Sequence, residues 1–66
     1  MSEPVSFADQ AEIVEFWVNE WNRLLTELEL AITAGKPPSE LLRLLRQEML
    51  AQRRVEKEHA ALLRIR

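Results

Sequence analysis

Apolar residues in the first half of the chain recur at alternating spacings of four and three: Phe7, Ala11, Val14, Val18, Trp21, Leu25, Leu28 and Ile32. That period belongs to a helix lying along another helix. Ser6 stands where an N-cap is needed, and Asp9 three residues on completes an S-x-x-D capping box, with Pro4 just outside it. No glycine or proline interrupts residues 7–34, and Leu, Glu and Ala dominate them. Gly35 supplies the left-handed position that commonly ends a helix. Lys36-Pro37-Pro38 then turns the chain; Pro38 suits the first turn of a second helix, and Glu40 suits its positive dipole end. The pattern predicts helix 1 over about 6–34, a turn at 35–38 and helix 2 over about 38–66. Each helix is about 28 residues, or roughly 42 Å long at 1.5 Å per residue. So short a connection makes the helices antiparallel neighbours. The expected fold is all-α: a coiled-coil-like antiparallel two-helix hairpin spanning residues 1–66 as a single domain, completed as a four-helix bundle by dimerisation or by a partner.

The apolar surface of helix 1 exceeds what one opposing helix covers. Trp17, Leu24 and Ala31 flank the heptad stripe, with Ile13 beyond them. The arc widens to roughly 160°, against about 100° for an ordinary core-facing stripe. Phe16 and Leu30 lie outside even that arc. Ile13, Phe16, Trp17 and Leu24 are neighbours on one side, and aromatic clusters of this kind serve as interface anchors. These four are the expected partner-binding residues.

Composition sharpens this picture by exclusion. At 66 residues the chain is near the lower size limit for folding on one hydrophobic core, and with no cysteine it has neither a disulfide nor a thiolate metal site. A homo-oligomer, most simply a dimer, or a helical protein partner is therefore expected. No apolar run approaches the ~20 residues that span a bilayer, and residues 1–10 lack a basic segment followed by an apolar core. A cytoplasmic protein without membrane contact is the expectation. Charge is unevenly spread: residues 1–35 carry seven acids against Arg23 alone, and residues 36–66 carry eight bases against Glu40, Glu48, Glu56 and Glu58. In an antiparallel hairpin Asp9, Glu12, Glu15 and Glu20 would run beside Arg53, Arg54, Lys57 and Arg64, fixing orientation more than adding stability.

Helix 2 opens with Leu41, Leu42, Leu44, Leu45 and Met49, and Val55, Leu62 and Leu63 continue its apolar side. Along the same side run Glu48, Gln52, Glu56 and His59. Polar residues at core-facing positions require a reason. Trp17 and Trp21 each carry an indole N–H that needs an acceptor when buried. With the turn centred near Lys36 and Pro37, Gln52 and Glu56 lie opposite them. A polar core layer of Trp17, Trp21, Gln52, Glu56 and His59 would fix register and partner choice.

The stretch Glu56-Lys57-Glu58-His59-Ala60-Ala61 resembles the second-helix ligand region of encapsulated ferritins, which are helical hairpins completed by dimerisation. That resemblance implies Glu56 and His59 as metal ligands, with Glu27 in Thr26-Glu27-Leu28-Glu29 as the helix 1 carboxylate. In the hairpin register Glu27 is level with Arg46, ten residues or ~15 Å along the axis from the pair. The metal reading is therefore the alternative, and no metal or other cofactor is expected. Arg43, Arg46, Arg53, Arg54, Lys57 and Arg64 form a basic face on the outside of helix 2, which suits an acidic surface or nucleic acid. No aromatic is interleaved with them and the net charge is −2, so a nucleic-acid-associated regulator is a further alternative rather than the main expectation. No catalytic residue is assigned: Ser2, Ser6 and Ser39 are remote from the one histidine, and two helices make a ridge rather than a pocket. In size and layout the chain looks like the helical-hairpin co-chaperones of type III secretion needles, two long helices joined by a Gly-x-x-Pro-like turn, here Gly35 to Pro38. Around Gly35 to Glu40 it also resembles the small subunit of exonuclease VII. The expected function is a non-enzymatic protein–protein interaction module: a small adaptor, assembly factor or co-chaperone.

Overall fold

A computed structural model describes residues 6–65. The chain forms two helices, α1 (Phe7–Thr33) and α2 (Pro38–Leu63), packed side by side in a rod of 49 × 17 × 16 Å. Pro4 and Arg66 lie outside the described residues; α2 ends at Leu63, short of the expected run to the last residues, because Arg64 caps it and Ile65 lies past the helix.

The ends of the helices follow local chemistry. The Ser6 hydroxyl accepts a hydrogen bond from the Asp9 amide at 3.1 Å, which satisfies one of the first-turn donors left without an intrahelical partner. At the other end of α1, Gly35 takes φ 70°. The Lys36 amide donates to the Ala31 carbonyl at 3.0 Å, and the Gly35 amide donates to that of Ile32 at 3.1 Å. This bonding pair is the Schellman closure, and it requires the positive φ that glycine tolerates. Pro37 then acts as the extended N-cap of α2, with Pro38 at the first helical position.

The packing seam differs from the stripe that opened the sequence reading. Gln10, Val14, Trp17, Trp21, Leu24, Leu28 and Ala31 are the buried or half-buried residues spaced four and three along α1. Only Val14, Trp21 and Leu28 belong to both sets. On α2 the matching seam is Leu41, Leu44, Glu48, Ala51, Val55, Glu58, Leu62 and Ile65. Its spacing alternates strictly between three and four, the coiled-coil period. The broad apolar arc of α1 accommodates two overlapping heptads, and the narrower apolar strip of α2 selects between them. Small Ala51, the most buried residue at 4% exposure, leaves room beside the indoles.

Register is also displaced from the turn-centred expectation by about one helical turn. Trp21 donates its indole N–H to Glu48 Oε1 at 2.9 Å, where Gln52 was expected. At the open end, Gln10 Nε2 donates to the Glu58 carbonyl at 2.8 Å and to Glu58 Oε2 at 3.0 Å. α1 ends at Thr33, with residues 34–36 spent in the Schellman closure on its side of the bend, so the connection is centred before Lys36 and each α1 residue meets an earlier residue of α2.

Ion pairs of the described residues lie within single helices: Arg23 with Glu20 and Glu27, Arg43 with Glu40, and Arg54 with Glu58. The expected ladder of Asp9, Glu12, Glu15 and Glu20 against Arg53, Arg54, Lys57 and Arg64 does not form as direct pairs. These side chains project outward from the seam, where pairs one turn apart on a single helix are closer than pairs across it.

Candidate interaction surface

The seam defines two lateral faces of the rod, because residues seven apart on each helix fall in one row. On the first lateral face the rows next to the seam are Ile13, Glu20, Glu27 and Ala34 on α1, and Glu40, Gln47, Arg54 and Ala61 on α2. Their proximity is direct: Trp17, Glu20, Leu24, Gln47, Leu50 and Arg54 line one open groove. The groove is charged and internally compensated. Arg23 Nη2 and Nη1 bond to Glu20 and Glu27 at 3.0 and 2.7 Å. The hydrogen bond to Arg23 outweighs a small desolvation effect and holds the Glu20 carboxyl below its ordinary value; the same bond raises Arg23.

On the opposite lateral face the adjoining rows are Ala11, Val18, Leu25 and Ile32 on α1, and Leu45, Gln52 and His59 on α2. Among the described residues no acid, lysine or arginine occupies these rows. Leu42, Met49, Glu56 and Leu63 form the next row outward on α2. Near the turn this face is continuously apolar: half-buried Leu25 beside Ile32, Leu42, Leu45 and Met49, which are 60%, 53%, 40% and 44% exposed. Contiguous exposed apolar surface of this kind marks interaction sites.

The four residues expected to bind a partner are separated by the fold. Leu24 is 7% exposed and packs in the seam, and Trp17 is half-buried there. Trp17 is further held by Phe16, edge-on at 5.2 Å between ring centroids, and by the Arg54 guanidinium 5.2 Å from its ring centroid. Ile13 and Phe16 remain exposed, on the charged lateral face. The overlooked signal is the uninterrupted row Ala11, Val18, Leu25 and Ile32, which was assigned to the seam.

The expected polar layer is likewise rearranged. Trp21 is in it, but its acceptor is Glu48, 8% exposed, and Gln52 is only half-buried. Glu56 and His59 are exposed, since their rows sit beside and beyond the seam rather than in it. A second polar layer, Gln10 with Glu58, closes the open end and was not expected. Among the described residues every buried side-chain nitrogen and oxygen has a partner. No group of three His, Cys, Asp or Glu among those residues is disposed to hold a metal ion; Glu27, the carboxylate expected to join Glu56 and His59, is engaged by Arg23.

The basic residues of α2 are all exposed, though not as one stripe. Arg46 and Arg53 lie on the outer side, Arg43 pairs with Glu40 at 3.8 Å, and Arg54 turns onto the charged lateral face between Trp17 and Glu58. Lys57 and Arg64 occupy the row between those two sides. No helix of the described residues is long and apolar enough to cross a membrane.

The class this fold defines is the antiparallel two-helix hairpin with a coiled-coil seam. No family model matches the chain, and no curated protein or solved structure does so significantly.

Proposed function

We propose that this chain is a non-enzymatic protein–protein interaction module, a small adaptor, assembly factor or co-chaperone working in the cytoplasm, and that it binds through the uncharged lateral face. The observation that carries this reading is the contrast between the two faces. The rows flanking the seam on one face carry Glu20, Glu27, Glu40 and Arg54, with the glutamates paired to Arg23 and Arg43, whereas among the described residues those of the other hold Ala11, Val18, Leu25, Ile32 and Leu45 with Gln52 and His59 as the polar members. Ala11, Val18 and Leu25 are half-buried, and the apolar surface that these rows still expose, most of it on Ile32 and Leu45, adds nothing to the hairpin's own core. Covering them with further helices returns the two-layer arrangement that buries both sides of an amphipathic helix. The grooves among the described residues are shallow clefts along the rod, lined by side chains such as Leu50, Gln47 and Arg54 with no convergent reactive set, which suits binding.

Site-directed photocrosslinking in the native cell tests this. A benzophenone side chain at position 45 should give adducts, and the same group at position 53, on the outer side of α2, should give few. Equal yields at both positions, or none at either, would defeat the proposal.

A further inference from the structure

We infer that the occupant of the uncharged face is a second copy of this chain, related by a two-fold axis running along the hairpin, so that both turns lie at the same end of a four-helix bundle. This rests on the preceding reading of that face as an interaction surface.

Size comes first. The lateral face extends over 49 by 17 Å, a footprint that accommodates the roughly 800 Å² per partner of a standard stable interface. A second identical face supplies the same area with the same uncharged rows.

The distribution of residues then selects the axis. Leu25, Ile32, Leu42, Leu45 and Met49 are all in the half nearer the turn, whereas Gln52 and His59 are in the half nearer the termini. An axis along the rod sets the apolar half of one copy against the apolar half of the other. An in-plane axis across the rod would instead bring Leu42 and Leu45 against the Gln52–His59 region and leave Ile32 beyond the partner's first turn.

Charge selects the same axis independently. With the axis along the rod, each α1 lies on the partner's α2. The outer row of α1 with Glu15 and Glu29 then faces the α2 row of Leu42, Met49, Glu56 and Leu63, in which Glu56 is the one acid, and Arg46 and Arg53 stand one row further out. The transverse axis would stack α1 on α1, acid against acid, and α2 on α2, base against base.

The chain has no cysteine, so a single introduced thiol reports geometry cleanly. Sedimentation equilibrium of the wild-type chain should give twice the 7.7 kDa chain mass. Leu45→Glu should give the monomer mass with helical circular dichroism retained, and Leu50→Glu, away from the face, should remain dimeric. Spin labels on Ser39→Cys, at the turn, should lie within roughly 30 Å of each other across the dimer, since neighbouring bundle helices are 8–10 Å apart. Labels separated by nearly the 49 Å rod length would overturn the axis. A monomeric wild-type mass up to the solubility limit would overturn self-association, as would a dimer that Leu45→Glu leaves intact and Leu50→Glu disrupts. Neither mass nor label distance depends on a variant folding poorly. Crosslinks from position 45 to another protein, together with a monomeric mass, would defeat this inference while leaving the interaction-module reading standing; no crosslinks at all would defeat both.

Discussion

Replacing the two partners of the central polar layer, singly and together, measures what that layer contributes. Trp21→Phe keeps most of the apolar ring but removes the N–H that reaches Glu48 at 2.9 Å. A hydrogen bond to a charged group contributes about 1.5–3 kcal/mol. The Trp21–Glu48 bond is part-buried rather than sealed, so a loss of about 1–2 kcal/mol is expected, within that class of bond. Glu48→Leu leaves the indole N–H without an acceptor, at about 1–3 kcal/mol. Burial of the new leucine offsets this by about 1.5–3 kcal/mol, so the net change should be within about 1 kcal/mol of zero. The double variant has neither an orphan carboxylate nor an orphan indole and should be at least as stable as the wild type. Urea denaturation followed by far-UV circular dichroism measures all four proteins. Protein concentration must be held fixed, because association adds to apparent stability. A coupling energy of about 1–2 kcal/mol is expected for residues in direct contact. A value below about 0.5 kcal/mol, the range of independent sites, would refute a stabilising Trp21–Glu48 layer.

Four further outcomes follow from particular contacts. Gln10→Ala removes both bonds to Glu58 and should cost about 1–2 kcal/mol. It should also speed amide hydrogen exchange in the first two turns of α1 while leaving exchange near the turn unchanged. Gly35→Ala meets no steric obstacle but must hold φ 70°, so a loss of about 1 kcal/mol in the same denaturation assay is expected from the backbone alone. Glu56→Leu, at an exposed site, should change hairpin stability by no more than about 0.5 kcal/mol; a large gain would return Glu56 to the core layer. The Glu20 carboxyl is held below its ordinary value by Arg23, so its small stabilising contribution is complete above the unfolded-state value and is lost as pH falls through the folded one. An acid titration of helicity should be flatter in Glu20→Gln than in the wild type; an unchanged slope would contradict the assignment.

The elements were legible because each boundary has a local cause. Ser6 caps, Gly35 takes a left-handed conformation that other residues avoid, and Pro38 fits a first turn whatever the tertiary context. The pairing was less legible. α1 is apolar over so wide an arc that the row Ala11, Val18, Leu25 and Ile32 competes with Trp17, Leu24 and Ala31 for the seam, and periodicity scores both equally. The decision is made across the helices, by the strict period from Leu41 to Ile65 and by small Ala51 beside the indoles. Glu48 and Glu58 occupy seam positions on α2; Glu48 already stands in the polar run of the core-facing side, whereas a pattern read for apolar residues passes over Glu58. Both are tied to α1 side chains, Trp21 and Gln10. Register slipped by a turn because counting from the bend ignores the residues spent in the Schellman closure. Trp17 and Leu24, expected on a free surface, are seam residues.

Hydroxyl-radical footprinting of the chain in its native cell tests the face assignment most directly. Met49, Leu45 and Ile32 should be oxidised far less than their exposure in the lone hairpin allows, while Leu30, Leu50 and Phe16, also exposed but away from that face, should react freely. Oxidation of both sets in proportion to their exposure would contradict the assignment of the uncharged face as the binding surface.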